Sequence, residues 1–398
     1  MSLYIHVPYC ETLCWFCACR TQAAEDNSVI DKYVEVLLQE IRMVRAELPD
    51  DITLSRVYMG GGTPTILNPE AMQRLVAEIY SSFDKADAFE FSVEIDTTQV
   101  SADLISRLLE HGMTRALIGV QDFDPEVQRV IGRAQTFEQT LNVVGMLRRA
   151  GLENLDMEML YGLPAQTSKT IAETTQQVLA LDPDRLAICE YSHVPTVSKR
   201  QILVDARKLP ASEDAFLLSQ IARHILLTDG YEPVGMDHFV RPDDTMITAR
   251  DNKTLRRDFE GYSDNGAYAL IGLGASAISR FPQGYVQNAS STSTYLDSIQ
   301  DHHLAGNKGY GMSGNDHVIG AMIEMLMCFF EIEAETVIAK FPGSKETVHT
   351  TMTSLSKVYE PFVDLEKGVL VIKPFAHPMA RLICDTLDRA GRGGKSQT

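Results

Sequence analysis

Short apolar runs alternate with helical stripes through the first half of the chain. Leu3-Tyr4-Ile5-His6-Val7 reads as an opening strand. Between residues 26 and 48, Val29, Tyr33, Val34, Leu37, Leu38, Ile41 and Val44 recur at helical spacing. Further strands are predicted over 52–59, 89–95, 115–120, 155–160 and 185–191. Helices are predicted from about Pro69 behind Asn68, from Ser101 to a stop at Gly112, from Asp124-Pro125, and over 136–150 and 168–181. About six β–α units in series predict a parallel sheet closing towards a partial barrel, short of a full TIM barrel.

After Tyr191 the texture changes. Residues 192–209 are irregular, 212–228 form a long amphipathic helix, and 231–236 read as a strand. Residues 240–265 are polar and carry Arg241, Arg250, Arg256 and Arg257. The Gly- and Ala-rich stretch 267–279 fits a buried strand or a tight turn. Helices over 318–330 and 345–358, a hairpin at Asp364-Leu-Glu-Lys-Gly368 and a closing segment over 375–390 mark a mainly helical module. The expected division is 1–210 for the barrel, 211–305 for a sheet extension with loops, 306–390 for the helical domain and 391–398 for a disordered tail.

At 398 residues the chain can fill one large α/β domain and a smaller one. Its formal charge of −18 argues against a nucleic-acid surface, despite the helices followed by a wing-like hairpin. No apolar run approaches the roughly 20 residues of a membrane span. A strand starting almost at once leaves no room for a targeting signal, and clustered thiols then point to the cytoplasm.

The chemistry concentrates in Cys10-Glu-Thr-Leu-Cys14-Trp-Phe-Cys17-Ala-Cys19, four of seven cysteines in one loop. A C-x3-C-x2-C spacing offers three thiolates to an iron–sulfur cluster and leaves one iron for another ligand. Zinc would call for a second separated pair, which the chain lacks; simple burial of four neighbouring thiols is the blandest reading. Gly60-Gly61-Gly62-Thr63 between a strand and a helix lets a ligand approach the backbone, or makes a tight turn. Glu94, Gln121, Arg133 and Glu158 fall near the ends of predicted strands, where barrel sites gather, though each also reads as a solvated strand- or helix-end residue. Asp237, His238 and Asp243 suggest either a hard-metal site or an ordinary polar loop, and His6 and His193 read as structural.

Tyr4-Ile-His-Val-Pro8 through Cys19 resembles the radical S-adenosylmethionine enzymes, and the Cys-Ala-Cys ending resembles their oxygen-independent coproporphyrinogen III oxidase family. Gly235-Met-Asp-His-Phe239 with Arg241-Pro-Asp-Asp244, Phe259-Glu-Gly-Tyr262 and Gly274-Ala-Ser-Ala-Ile-Ser279 extend the likeness along nearly the whole chain. The resemblance implies that Cys10, Cys14 and Cys17 hold a [4Fe–4S] cluster. It implies two S-adenosylmethionines, one held by Tyr4, Gly61, Glu94 and Ile278, the other by Phe16, Gly62, Thr63, Gln121, Arg133, Glu158 and Ser192.

Further implications are a 5′-deoxyadenosyl radical and oxidative decarboxylation of two propionates of coproporphyrinogen III to the vinyls of protoporphyrinogen IX. Cys19 and Glu260 would act at the substrate. A flavodoxin or ferredoxin would supply electrons to a monomer. A substrate with several carboxylates needs a cationic pocket, sought at Arg20, Arg241, Arg256 and Arg257. Glu158 and Glu260 stand where the family usually has aspartate and glutamine, Ser192 is a further substitution, and the family's segment before the first strand has no counterpart here. A related enzyme for another tetrapyrrole, or a haem-binding or iron–sulfur carrier, are the alternative readings.

Overall fold

A computed structural model describes the chain except residues 25, 259, 260 and 392–398. It divides into two compact units, residues 1–231 with 267–310, and residues 232–266 with 311–398. Both stretches that were expected to form a middle segment, 211–231 and 267–305, therefore fall with the barrel, while 232–266 falls with the helical module.

The first unit is built on six parallel strands: β1 (Ser2–Val7), β2 (Thr53–Gly61), β3 (Asp84–Glu94), β4 (Arg115–Gln121), β5 (Asn154–Tyr161) and β6 (Arg185–Glu190). Each pairs in parallel with the next, as consecutive β–α units require. The crossovers are α1 (Asn27–Ala46), α2 (Pro69–Ser82), α3 (Ala102–Glu110), α4 (Pro125–Ile131), α5 (Phe137–Arg149) and α6 (Ser168–Ala180). Their starts follow sequence chemistry. Asn68 accepts from Ala71 N behind Pro69, Ser101 caps α3, and Thr136 with Gln139 closes a capping box on α5. Leu3, Ile5 and Val7 of β1 and Tyr33, Leu37 and Ile41 of α1 are wholly buried, so the sheet and its helical coat share one core. The helix α7 (Ser212–Thr228) follows the sixth strand.

The Gly- and Ala-rich stretch becomes a strand, β7 (Leu270–Leu273), lying parallel to the outer side of β1. β8 (Ile278–Phe281) and β9 (Gly284–Asn288) continue antiparallel from there. Glu40 on α1 fixes this extension. Its buried carboxylate accepts from Gly274 N at 2.7 Å, Asn288 Nδ2 at 2.8 Å and Tyr295 OH at 2.7 Å. Beside it the Tyr33 hydroxyl donates to His6 O at 2.7 Å and accepts from Ala275 N at 3.0 Å. Gly274 is obligatory: φ is +99°, and a Cβ there would lie 2.5 Å from His6 O.

Burial pushes Glu40 up to about 7 from an ordinary 4.5, against the pull of its three donors. The folded chain thus holds a proton that the unfolded chain releases between those values. The stabilisation this gives is complete below about pH 4.5 and lost as pH rises through about 7. Glu40→Gln should remove that slope. Urea midpoints read by fluorescence of Trp15, the single tryptophan, should then differ less between about pH 5 and pH 8, by up to about 3 kcal/mol. An unchanged slope would assign the pH dependence to another group.

In the second unit, helices Gly314–Phe329, Lys345–Val358 and Ala380–Gly391 pack with a three-stranded sheet of Glu331–Glu333, Val363–Glu366 and Val369–Ile372. Met322, Leu326, Ile332, Val348, Leu370 and Ile383 form its core. The expected strand over 231–236 is limited to Glu232–Val234. Among the described residues no helix is long and apolar enough to cross a membrane.

Candidate active site

The cysteine loop leaves the end of β1 and is docked on its neighbours by backbone and ring contacts. Trp15 N donates to Ile131 O at 2.9 Å, and the indole covers Gly132, where a Cβ would lie 2.6 Å from the ring. Gly132 ends α4 in the left-handed conformation, so this close approach depends on glycine. Phe16 packs against Val127, Ile131, Leu160, Leu163 and Tyr191; its visible role is to anchor the loop.

Each thiol has its own support. Cys10 accepts from the buried Thr63 Oγ1 at 3.4 Å, and Cys14 from Arg133 Nη1 at 3.5 Å. Arg133 is itself held by Gly119 O at 2.7 Å and Gln135 Oε1 at 3.0 Å. Burial raises Cys10 and Cys14, and for Cys14 the guanidinium of Arg133 opposes that rise. Cys17 is brought down to about 6, first by a hydrogen bond from Cys19, with burial opposing and Arg200 and Arg133 assisting. Cys19 is raised correspondingly by that bond and by burial, and Glu94 and Glu158 add to the rise.

The other predicted residues come from the C-terminal ends of successive strands. Glu94 Oε1 accepts from Tyr58 OH at 2.8 Å and Oε2 from Gly61 N at 3.2 Å. Burial pushes Glu94 up to about 7, and repulsion from Glu158 adds to it. Glu158 pairs with Gly119 across β4 and β5, beside a register shift between Gly119 and Gln121. Gln121 takes φ +64° at that irregularity, and its Oε1 is buried with no hydrogen-bond partner. Gly60, Gly61 and Gly62 are each crowded. Cβ atoms there would lie 2.6 Å from Glu94 Oε1, 2.3 Å from the His6 ring and 2.7 Å from Val7 O. The glycines thus admit protein neighbours to the end of β2.

Tyr4 OH is 2.9 Å from His6 Nδ1 and the ring stacks on Tyr58 at 5.9 Å. Ile278 is half-buried on β8, and Ser192 is exposed while its carbonyl accepts from Gln201 Nε2 at 3.2 Å.

The chain matches the radical SAM superfamily over residues 4–178. It is 43% identical over 388 residues to an oxygen-independent coproporphyrinogen III oxidase of Paracoccus denitrificans, covering 98% of this chain and 86% of that one. A protein of the same name from Cereibacter sphaeroides is 42% identical over 397 residues, covering 100% and 88%. The solved coproporphyrinogen III oxidase of Escherichia coli, described as a radical SAM enzyme, superposes with a TM-score of 0.93 at 31% identity, covering 98% of this chain and 90% of that one. The chain belongs to the oxygen-independent coproporphyrinogen III oxidase family.

The family carries a [4Fe–4S] cluster and S-adenosylmethionine, and the donors fit them. Three thiols share one loop with a cation at Cys14, and an orphaned buried oxygen and paired carboxylates stand beside it. Among the described residues no three His, Cys, Asp or Glu side chains are set together as a ready-made metal site, the cysteine loop included.

Two expectations are corrected and one cannot be placed. Arg256 is engaged by Glu324 at 2.7 Å and Arg257 lies 3.6 Å from Asp237, so these are not uncommitted cations. Asp237, suggested for a hard metal, is spent on His238 Nδ1 at 2.8 Å and Arg381 at 2.6 Å. Glu260 lies outside the described residues. Sequence reasoning passed over Tyr58 as a partner of Glu94 and Gln135 as the holder of Arg133. His6, read as structural, is buried and bridges Tyr4, Arg20 O at 3.2 Å and Gly61. Tyr4 and His6 do share one face of β1 by their two-residue spacing, which was the available signal.

Proposed function

We infer that the chain performs the oxygen-independent oxidative decarboxylation of two propionates of coproporphyrinogen III, giving the vinyls of protoporphyrinogen IX. The observation that carries this is the convergence of the Cys10–Cys17 thiols with Glu94, Gln121, Arg133 and Glu158 at the C-terminal ends of consecutive parallel strands. Cys10, Cys14 and Cys17 hold the cluster. Tyr4, Gly61, Glu94 and Ile278 serve one S-adenosylmethionine; Phe16, Gly62, Thr63, Gln121, Arg133, Glu158 and Ser192 serve a second. When bound, these groups supply radical removal of a hydrogen atom.

The chain's own residues position and charge-balance. Glu94 and Glu158 are neighbouring carboxylates that repel each other, and the pair favours a cationic ligand, because a nearby positive charge restores the ionised form of Glu94. Tyr58 and Gly61 aim the first of them. Arg133 suits a ligand carboxylate beside Cys14. Cys19 and Glu260 act on the substrate side, and a flavodoxin or ferredoxin is the reductant.

Anaerobic reconstitution followed by assay with coproporphyrinogen III tests the reading. Protoporphyrinogen IX with 5′-deoxyadenosine is the expected pair of products. Deoxyadenosine without decarboxylation would redirect the substrate to another tetrapyrrole, and neither product with tight haem binding would make the chain a carrier.

A further inference from the structure

The segment after β6 forms a strap over the cysteine loop. Ser198 Oγ donates to Cys17 O at 2.8 Å, Gln201 Nε2 to Phe16 O at 2.6 Å and Arg200 Nη1 to Thr21 Oγ1 at 2.8 Å. Ser198 and Gln201 are buried by these contacts. Val204 of the strap is buried, but three of its other apolar side chains face away: Val197, Ile202 and Leu203 are 59%, 71% and 59% exposed. Three neighbouring large aliphatics left in water are a signature of an interaction face rather than of folding.

The charge of this face is opposite to that of the molecule. Residues 197–208 hold Lys199, Arg200, Arg207 and Lys208 against one carboxylate, Asp205, in a chain of net −18. Arg207 pairs with that Asp205 at 2.9 Å and Lys208 with Glu126 at 3.6 Å, so the excess positive charge rests on Lys199 and Arg200. Arg200 spends its hydrogen bonds on neutral oxygens of Thr21. The face is thus a local cationic rim around an apolar centre, fastened directly to the backbone of the proposed cluster loop. Ile202 and Leu203 sit on a five-residue 3-10 turn, Lys199–Leu203, with Val197 just before it, not on the long amphipathic helix that membrane-surface binding uses.

We propose that Val197, Ile202 and Leu203, with the charges of Lys199 and Arg200, form the docking surface for a small acidic protein that carries single electrons to the cluster. The inference rests on the reading that Cys10, Cys14 and Cys17 hold the cluster. One electron leaves the carrier's reduced cofactor and enters the cluster, and no bond forms between the proteins. Opposite charges raise the encounter rate and orient the carrier, while the small apolar centre gives brief contact and easy release. Electron-transfer partners bury correspondingly small interfaces.

The test compares the reconstituted chain with Lys199→Glu and with Ile202→Ser, using a bacterial flavodoxin as probe. Binding of oxidised flavodoxin is measured at about 50 and 300 mM salt. Deoxyadenosine formation is driven in parallel by reduced flavodoxin and by dithionite. The charge reversal should weaken flavodoxin binding at low salt by about tenfold or more and flatten its salt dependence. Ile202→Ser should weaken it at both salts, and dithionite-driven turnover should be unchanged in both variants.

Unaltered flavodoxin binding in the charge-reversed protein would overturn the proposal. So would an equal loss of dithionite-driven decarboxylation, which would give the face to the substrate, or binding of the unmodified chain to vesicles containing phosphatidylglycerol in place of flavodoxin. Failure of the cluster reading shows separately, in iron content and visible absorbance, while flavodoxin binding is still measured.

Discussion

Serine in place of Cys10, Cys14 or Cys17 is expected to abolish cluster assembly, whereas serine in place of Cys19 should leave it intact. Iron and sulfide after anaerobic reconstitution should fall to background in the first three variants, and cleavage of S-adenosylmethionine should fall with them. The distinction follows from what each sulfur faces. Cys10 lies against Thr63 and Cys14 against Arg133, both on elements that line the strand ends. Cys17 is the sulfur most disposed to be a thiolate, because Cys19 donates to it. Cys19 lies two residues beyond Cys17 and is exposed, whereas Cys10, Cys14 and Cys17 are half-buried, so it stands outside the set that the loop encloses. Cys19→Ser should therefore keep the iron content and alter turnover of coproporphyrinogen III. Loss of iron as complete as in Cys17→Ser would refute this ligand set.

The parts of the fold that were legible in the sequence are those whose signals are local. The alternation of strand and helix needs only neighbours, and α7 occupies Ser212–Thr228 as its periodicity predicted. The cysteine spacing is likewise local. Long-range pairing produced the differences. β3 begins at Asp84, five residues ahead of the apolar run, because Thr53 of β2 pairs with it before a register shift near Arg56. Its polar Asp84-Lys-Ala-Asp87 opening conceals that extension.

The place of β7 beside β1 joins residues far apart in the chain and could not be read from a Gly- and Ala-rich composition. The strap was hidden for the same reason: Ser198 and Cys17 are 181 residues apart. His6 looked like an isolated core histidine until β1 and β2 were paired, which sets His6 against Gly60 in register and its ring over Gly61. Arg256 and Arg257 looked like free cations because their carboxylate partners, Glu324 and Asp237, come from other segments.

Arg115→Ala should cost about 3–5 kcal/mol of stability. Arg115 is buried at the start of β4, where Nε donates to Glu90 Oε2 at 3.0 Å and Nη1 to Asp156 Oδ1 at 2.5 Å. Arg56 Nε reaches the other Glu90 oxygen at 2.9 Å, so one ionic net ties together β2, β3, β4 and β5. Burial alone would raise Glu90, yet Arg56 and Arg115 outweigh it and hold the carboxyl at about 2. Asp156 moves the other way. It is more deeply enclosed, and burial outweighs its pairing with Arg115. Glu90 therefore contributes its stabilisation above about pH 4.5, its ordinary value, and that contribution is lost as pH falls through about 2.

Removing Arg115 leaves Asp156 to Arg185 alone and Glu90 to Arg56 and Arg185. The cost should accordingly be greatest near neutral pH and shrink on acidification, as Asp156, which burial holds above its ordinary value, becomes neutral. Arg115→Lys restores charge without the two-pronged reach and should recover only part of the loss. Urea unfolding followed by Trp15 fluorescence at about pH 7 and pH 4 reads all three proteins. A loss below about 1 kcal/mol at neutral pH would mean that water, rather than the guanidinium, satisfies these carboxylates at the floor of the barrel.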